Sequence, residues 1–196
     1  MRDLAITKLA DYTGDAQRDT AEVFVEGYYN WLSAICDDKK KLISALSGGF
    51  NEDVFYIAIA DDKPVGITAC SDNKARALRL DIGRFCEHFG HEVGVYAYDM
   101  MKESFHAPLK YPDGVAYIEC VATAPYAQGK GIATHIMEHI MQTALYSEYR
   151  LEVTDNNTSA RKLYEKLGFE VYETKREEYP EKLGFHERIY MKRGHE

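Results

Sequence analysis

The seven residues 128–134 read QGKGIAT and follow an apolar strand that the sequence predicts at about 117–123. A helix is predicted directly after them, and the first N–H groups of a helix have no intrahelical partner. The positive end of the helix dipole lies behind those groups and favours an anion. Glycine at 129 and 131 leaves no Cβ in the path of an approaching phosphate. The stretch therefore predicts a main-chain site for a phosphate-bearing ligand.

Two familiar phosphate motifs do not fit this stretch. A Walker loop needs G-x-x-x-x-G-K-[ST], and a Rossmann turn needs G-x-G-x-x-G. The pattern that does match is Q/R-x-x-G-x-G/A, at Gln128, Gly131 and Ala133. This pattern resembles the acetyl-CoA pyrophosphate signature of the GNAT superfamily of N-acetyltransferases.

A second block, 151–170, strengthens the resemblance. It reads LEVTDNNTSARKLYEKLGFE and is similar to another hallmark of the superfamily, in which a strand, an Asn and a helix with N-x-x-A-x-x-L-Y precede an L-G-F turn. The matching residues are Asn157, Ala160, Leu163, Tyr164, Leu167, Gly168 and Phe169. The two blocks span 116–175 in the order that the superfamily has.

The resemblance implies that acetyl-CoA binds along the first block and leaves as CoA. N–H groups of the turn would hold the pyrophosphate, assisted by Lys130 and the Thr134 hydroxyl. The strand would part from its parallel neighbour at a bulge, freeing main-chain groups for the pantetheine amides and one N–H for the oxyanion. The implied cofactor-binding residues are Val121, Ala122, Thr123, Gln128, Gly129, Lys130, Gly131, Ile132, Ala133, Thr134, Asn157 and Tyr164.

Tyr164 lies on one helix face with Asn157 and Ala160, at i+7 and i+4 from them. The resemblance implies that its hydroxyl points at the thioester sulfur and protonates the departing thiolate as general acid. The alternative is a core tyrosine. Asn157 is expected to contact the pantetheine arm, to cap the helix, or both.

Glu119 and Glu152 are candidates for the general base, because a carboxylate inside an apolar strand is unusual. Glu152 occupies the position that resembles the base of the bacterial ribosomal-protein N-terminal acetyltransferases, whereas many other superfamily members carry theirs on the strand of Glu119. The alternative for each is an ion pair with a neighbour such as Arg150. Alternation along the strand places Glu119 with Val121 on one face and Cys120 on the other.

His135, Glu138 and His139 spell H-x-x-E-H, the inverted zinc-protease pattern, on the predicted cofactor helix. They fall opposite its apolar stripe and no third ligand is evident, so we expect a solvated polar face and no metal. His88 and His91 are interpreted in the same way.

The surrounding pattern predicts an α/β fold for one domain spanning 1–196. We expect a mixed, mostly antiparallel sheet of six or seven strands, flanked by helices, as in the GNAT fold. Residues 73–112 form a long helical insertion, expected to break into two helices at Gly90 and Gly94. The insertion is predicted to form a wall or lid of the acceptor cleft or, alternatively, a dimer surface.

Composition narrows the class of protein. Apolar residues make up 45% and charged residues 29% of the chain, which is typical of a globular domain. The formal net charge of −8 argues against a nucleic-acid partner. No apolar run spans a bilayer, the N-terminus lacks the features of a signal peptide, and four scattered cysteines indicate free thiols in the cytoplasm.

The resulting hypothesis is direct acetyl transfer from acetyl-CoA to a primary amine of a small molecule. One alternative is a protein N-terminal or lysine acetyltransferase. The C-terminal stretch EEYPEKLGFHERIYM resembles that of the N-terminal acetyltransferases, but the insertion argues against the open groove that a peptide needs. The others are a non-catalytic acyl-CoA sensor and a metallohydrolase.

Overall fold

The computed structural model describes residues 4–194, apart from the side chain of Lys182. Seven strands form one sheet in the order β1-β2-β3-β4-β5-β7-β6. β4 and β5 run parallel and every other neighbouring pair runs antiparallel. The strands are β1 (Ala5–Lys8), β2 (Phe55–Ala60), β3 (Lys63–Ser71), β4 (Val115–Thr123), β5 (Glu148–Thr154), β6 (Glu170–Arg176) and β7 (Glu187–Gly194). The predicted mixed, mostly antiparallel α/β sheet is confirmed.

Helices cover both faces of this sheet. They are α1 (Ala16–Leu32), α2 (Lys39–Leu46), α3 (Ile82–Phe89), α4 (His91–Phe105), α5 (Ile132–Thr143), α6 (Thr158–Lys166) and the short α7 (Pro180–Leu183). None of those in residues 4–194 is both long and apolar enough to cross a bilayer. The single domain predicted for 1–196 stays a prediction, and its residues 1–3 and 195–196 lie outside the described part.

Two buried clusters hold the layers together. One joins α1–α4 to one face of β2, β3 and β4, and the other joins α5 and α6 to the opposite face of β2–β5 and β7. N-caps fix the residues at which three helices of the first layer begin. The side chains of Asp15, Asp38 and Asp81 accept hydrogen bonds from first-turn N–H groups of α1, α2 and α3. The interior is therefore divided by the sheet, and a site at the sheet edge is bounded by both layers.

The insertion at 73–112 contains α3 and α4, which break at Gly90, where φ is +80°. The second break expected at Gly94 is wrong. Gly94 lies inside α4, and a Cβ there would lie 2.5 Å from the Cys86 backbone. That glycine therefore permits close contact between the two helices instead of ending one of them.

The insertion packs onto α1. The Phe105 ring at the end of α4 meets the rings of Phe24, Tyr28 and Trp31 edge-on, with centroids 5.7, 6.2 and 5.9 Å apart. Because α1 in turn lies on β4, the insertion supports the helix that borders the site.

Candidate active site

The strands β4 and β5 pair over three residues only. The parallel ladder joins Val115 to Glu148 and ends where Tyr117 faces Arg150. Beyond that point β4 pairs with β3 alone and β5 with β7 alone. The facing edges of 118–123 and 151–154 therefore carry main-chain donors and acceptors outside any ladder. This is the opening between parallel strands that the resemblance implies.

A bulge in β4 lies beside the opening. The register with β3 shifts between the pairs Ile67↔Ala122 and Ala69↔Glu119, and Cys120 has a φ of +55°. A non-glycine residue in this region costs roughly 1–3 kcal/mol and persists only where its surroundings impose it. The main chain at the mouth of the opening is thus held in a strained conformation.

Because of the bulge, the side chains of β4 do not alternate between the two faces of the sheet as predicted. Cys120 and Ala122 pack in the α1-side cluster, whereas Val121 packs against the α5-side cluster. Glu119 faces Ala69, which belongs to the α1-side cluster as well. The expectation that Glu119 and Val121 share a face and that Cys120 opposes them is wrong, because one extra residue reverses the alternation.

The turn before α5 has the geometry of an anion cradle. Gly129 and Gly131 have φ of +72° and +76°, and Gly131 caps α5 without any side-chain hydrogen bond. A Cβ at Gly129 would meet nothing within 4 Å. In the described chain, the six N–H groups of 129–134 have no protein acceptor. These free donors at a helix N-terminus fit a pyrophosphate.

The side chains of the turn are arranged around its backbone. The Lys130 ammonium donates to the Tyr126 carbonyl oxygen at 2.9 Å, and the Gln128 amide donates to the Thr123 carbonyl oxygen at 3.4 Å. Ile132 is buried and anchors α5 to the sheet, while Ala133 and Thr134 are half-buried. Main-chain groups, more than the lysine, therefore carry the predicted anion site.

We expect Gly131→Ala to weaken CoA binding about tenfold or more, because a hydrogen bond to a charged group contributes ~1.5–3 kcal/mol and the cradle must distort. Gly184→Ala is the matched control. Gly184 caps α7 with φ 75° and ψ 15°, close to the 76° and 12° of Gly131. Both variants should lose similar stability in denaturation, and calorimetry with CoA should separate them. Equal CoA affinities would count against the cradle.

Asn157 caps α6. Its side-chain oxygen accepts from the Ala160 N–H at 3.2 Å and from the Ser159 hydroxyl at 3.2 Å. The capping role predicted for Asn157 is therefore present, and the side-chain amide keeps its N–H₂ donors. No acceptor for them lies within residues 4–194.

Tyr164 lies on α6 with 6% of its surface exposed, and its ring packs near that of Phe169. Its hydroxyl has no hydrogen-bond partner among the described residues, yet it is not sealed from solvent. Burial raises the pKa of Tyr164 to about 12. The phenol is therefore protonated at physiological pH, with its donor unused.

Glu119 is buried and fully paired. Its carboxylate accepts from Arg76 at 3.0 and 3.2 Å and from the Ser71 hydroxyl. Burial raises the pKa of Glu119, and Arg76, Ser71 and the Ala77 N–H oppose that rise. The ion pair weighed as the alternative for Glu119 is therefore present, with Arg76 as the partner. With its oxygens occupied, Glu119 is poorly placed to accept a proton from an acceptor.

Arg76 also connects Glu119 to the insertion. Its guanidinium donates to the carbonyl oxygens of Ser104 and Ala107 at the end of α4. The Arg76 and Glu119 side chains are only 9% and 5% exposed. The pair therefore fastens the insertion to β4.

Glu152 has a different environment. Its side chain is 34% exposed, and one oxygen accepts from Arg188 Nη1 at 2.7 Å. Tyr117 lies near the same carboxylate, and burial, together with the charge of Glu152, raises the pKa of Tyr117 well above its usual value. Arg150 pairs instead with Glu148, at 2.6 Å. Glu152 is thus the more accessible of the two candidate bases.

Tyr28 of α1 completes this group. Burial raises the pKa of Tyr28, and the charges of Cys120, Tyr164, Glu119 and Glu152 add to the rise. Tyr28 therefore lies near Tyr164 and both candidate bases.

α1 approaches β4 closely at Gly27, where a Cβ would lie only 2.7 Å from that of Ala122. α1 therefore forms a wall of the cleft. The predicted role of the insertion as wall or lid stays a prediction, supported by its packing behind Tyr28.

Sequence reasoning missed Tyr28, Arg76 and Arg188. Tyr28 lies among the apolar residues of α1, and nothing in the surrounding sequence indicates a functional site there. Arg76 and Arg188 find their carboxylates 43 and 36 positions away along the chain. The weak signal for Arg188 is a charge directly before the apolar pair Ile189–Tyr190 in a strand.

The H-x-x-E-H residues of α5 make separate contacts, one of them with the cradle. His135 Nδ1 lies 2.8 Å from the Gly131 carbonyl oxygen, and the His139 ring meets Tyr56 edge-on at 5.9 Å. Across residues 4–194 no three His, Cys, Asp or Glu side chains come together in a way that could hold a metal ion.

Comparison with known proteins agrees with this geometry. The model of the acetyltransferase (GNAT) family matches residues 18–169. Over 85 residues the chain is 34% identical to the 5-NmdU N-acetyltransferase of Pseudomonas phage PaMx11, covering 43% of this chain and 54% of that protein. The chain thus spans about half the length of this curated relative.

Solved structures show the same fold. The ribosomal-protein-S18-alanine N-acetyltransferase of Escherichia coli is similar with a TM-score of 0.59 and 15% identity, over 98% of this chain and 94% of that one. An N-acetyltransferase of Staphylococcus aureus Mu50 has a TM-score of 0.62 and 17% identity, over 96% of this chain and 100% of that one. Because the family model covers residues 18–169, the chain belongs to the GNAT family of acetyltransferases.

Proposed function

We propose that this protein transfers an acetyl group from acetyl-CoA directly to a primary amine of a small molecule. The observation that carries the proposal is a pair of unpaired main-chain stretches that flank the turn after β4. Within the described residues, the N–H groups of 129–134 have no protein acceptor, and the edge of β4 that faces β5 is open beyond Tyr117. When bound, acetyl-CoA supplies the acetyl group as an activated thioester.

Four groups of the chain have separate roles in the proposed reaction. The cradle N–H groups bind the pyrophosphate, and a main-chain N–H of the open β4 edge donates to the carbonyl oxygen of the acetyl group. Glu152 accepts the proton that the amine nitrogen loses, directly or through water, as the new N–C bond forms. Tyr164 gives its hydroxyl proton to the sulfur as the C–S bond breaks. Solvent returns the proton to Tyr164.

Two features favour a small acceptor over an extended peptide. The insertion supports α1 on one side of the cleft. On the other side, the loop 177–186 is held against the start of α6 by hydrogen bonds from Asn156 to the Gly184 carbonyl oxygen, at 2.7 Å, and from His186 N–H to Asp155, at 3.1 Å. A protein acetyltransferase needs an open groove for its peptide, and a loop and a helix that are held in place on its two sides favour a smaller acceptor.

A second candidate acceptor is an amine on a nucleobase. The phage relative acts, by its name, on 5-NmdU. In this chain the rings of Tyr111 and Tyr117 form one pair, and those of Tyr172 and Tyr190 form another. A base that stacks there would displace the Arg150 guanidinium, which lies 4.8 and 5.3 Å from the rings of Tyr111 and Tyr172. This candidate runs against the expectation of no nucleic-acid partner, which rested on the net charge of −8.

An acceptor panel tests both candidates. Release of CoA thiol is measured with polyamines, aminoglycosides, amino acids, N-terminal and lysine peptides, and amine-bearing nucleosides both free and within DNA. Transfer to a free small amine supports the proposal, and transfer to DNA alone or peptides alone overturns it. Tight CoA binding without transfer to any amine would indicate a sensor.

We expect Glu152→Gln to lower kcat/KM by about 10²-fold, because positioned proton transfer contributes roughly 10²–10⁴ in rate. CoA affinity and circular dichroism should not change. Glu148→Gln is the matched control, since Glu148 lies on the same strand and pairs with Arg150 outside the opening. Full activity of the Glu152 variant would remove this residue from the mechanism.

A further inference from the structure

We infer that Arg150 determines acceptor specificity by binding a carboxylate or phosphate group of the acceptor, on the face of β5 that also carries Glu152. The inference rests on the proposed function. It names the class of acceptor that the enzyme would take, which is a small amine that also carries an oxyanion.

The Arg150 guanidinium has unused hydrogen-bond donors. Its Nε donates to Glu148 at 2.6 Å, and within residues 4–194 neither Nη1 nor Nη2 has an acceptor. The arginines that pair with the two candidate bases are more fully engaged: Arg76 donates through Nε, Nη1 and Nη2, and Arg188 through Nε and Nη1. A guanidinium presents its N–H groups as a planar fork that matches a carboxylate or phosphate. Arg150 therefore keeps two nitrogens available for an oxyanion.

Aromatic rings restrain this guanidinium. It lies over the Tyr111 ring at 4.8 Å and over the Tyr172 ring at 5.3 Å. Tyr172 is the extra residue of a bulge in β6, where the register with β7 shifts between Val171 and Glu173. Bulges re-aim side chains and are common next to active sites. Ring faces attract the cation and offer no oxygen to its N–H groups, so the fork is held in place while its donors stay free.

A second cation lies beside the first. Lys192 of β7 is the direct register partner of Arg150, and like charges directly opposite each other destabilise a sheet. The two cations share one carboxylate, with Lys192 Nζ 3.9 Å from Glu148, and Lys192 Nζ also lies over the Tyr172 ring at 5.8 Å. Glu170 faces Lys192 from β6 but forms no ion pair with it in the described chain. An oxyanion bound at Arg150 would reduce the repulsion between the two cations.

Arg150 lies within reach of the proposed reaction. β5 pairs with β7 in one register over all its seven residues, so its side chains alternate regularly. Arg150 and Glu152 therefore share the face opposite to Leu151, which is buried in the α5-side cluster. Two steps along a strand separate their Cα atoms by about 6.5 Å. Burial raises the pKa of Tyr111 to about 12, and the nearby charges of Arg150 and Glu152 act on it in opposite directions. A small acceptor can therefore reach both side chains, with its amine at Glu152 and its oxyanion at Arg150.

Matched pairs of amines test the inference. β-Alanine carries a carboxylate where β-alaninamide has a neutral amide, and phosphoethanolamine carries a phosphate that ethanolamine lacks. For each pair, the ratio of kcat/KM for the anionic amine to that for the neutral amine is compared between wild type and variant, so that the intrinsic reactivities of the amines cancel. Arg150→Gln should lower this ratio about tenfold or more, mainly through the KM of the anionic amine. A fall confined to one pair identifies the oxyanion as a carboxylate or as a phosphate.

Three further variants separate recognition of the anion from a structural role. Arg150→Lys keeps the charge but loses the planar fork, so it should retain part of the ratio. Glu148→Gln keeps the oxygen that accepts from Arg150 Nε and should not lower the ratio. Arg176→Gln removes an exposed cation that pairs with Glu187 at 3.4 Å and should leave the ratio unchanged. If Arg150→Gln lost activity equally with the anionic and the neutral amines, or left both ratios unchanged, the inference would be wrong.

Nitrogen-15 NMR without an amine makes this failure distinct from failure of the proposed function. The guanidinium signals of Arg150, identified by their absence from the spectrum of Arg150→Lys, should shift saturably on titration with propionate or inorganic phosphate. If they shift but no amine is acetylated, the proposed function fails and the oxyanion site stands. If amines are acetylated but the signals do not shift, the inference fails alone. A shift without any effect of Arg150→Gln on the ratios would also overturn it, because the bound anion would then not belong to the acceptor.

Discussion

Replacing Tyr164 with Phe is expected to lower kcat by about 10²-fold or more while the Kd for CoA changes by less than about threefold. The variant keeps the ring that packs near Phe169 and loses only the hydroxyl. That hydroxyl has no hydrogen-bond partner in the described chain, so its loss leaves no protein group unsatisfied. Steady-state kinetics and CoA calorimetry on the same preparation would measure both quantities.

Tyr149→Phe provides the matched control. Tyr149 is buried in the same α5-side cluster, and its hydroxyl donates to the Ala144 carbonyl oxygen, away from the opening. Its loss should cost about 1 kcal/mol of stability and leave kcat unchanged. If Tyr164→Phe kept wild-type activity, Tyr164 would not be the general acid. It would then be a core tyrosine without a role in catalysis.

The pH dependence follows from the same residue. Burial raises the pKa of Tyr164 to about 12, so the acid form is present below that value and is lost only as the pH rises through it. Tyr164 therefore causes no fall in kcat across the neutral and mildly alkaline range. An alkaline limb near neutral pH that disappears in Tyr164→Phe would contradict this assignment.

Arg76→Ala is expected to lower the free energy of unfolding by about 3–5 kcal/mol, the range for a buried ion pair that loses one partner. Glu119 would lose its cation while only 5% of its side chain is exposed, and the end of α4 would lose the donor to its carbonyl oxygens. Urea denaturation followed by circular dichroism measures the change.

Two further variants test whether the loss of stability in Arg76→Ala comes from breaking the buried ion pair. Arg18→Ala removes an exposed i,i+4 pair with Glu22, whose side chains are 62% and 48% exposed, and should cost less than ~0.5 kcal/mol. The double variant Arg76→Met with Glu119→Leu should recover much of the loss, since no charge stays buried alone. If Glu119→Gln instead abolished catalysis at unchanged stability, Glu119 would be the base.

Much of the fold and the cofactor side of the site could be predicted, because both depend on local patterns. The strand, the glycine turn and α5 are adjacent in the chain, as are Asn157 and Tyr164 on α6. Periodicity and glycine positions report such neighbours directly. The cofactor itself and the transfer chemistry remain proposals built on that geometry.

The acceptor side could not be predicted in the same way. The bulge at Cys120 adds one residue to an apolar run, and nothing in the run marks where alternation reverses. The alternative interpretation of Glu119 is an ion pair with a residue such as Arg150, whereas tertiary packing brings Arg76 from the insertion to it. Gly94 was interpreted as a break because close helix packing and helix termination both select glycine.

The short ladder between β4 and β5 has a consequence for how the protein unfolds. Only three residue pairs join β4 to β5, so the seven-stranded sheet is weakly held together at this point. Beyond these pairs, the facing edges of β4 and β5 are free to hydrogen-bond an extended ligand. A coenzyme lying there would act as an eighth, removable strand, and its binding free energy would add to the cohesion of the two halves. The Tm should then rise with coenzyme concentration, so that it reports the fraction of the protein that has coenzyme bound.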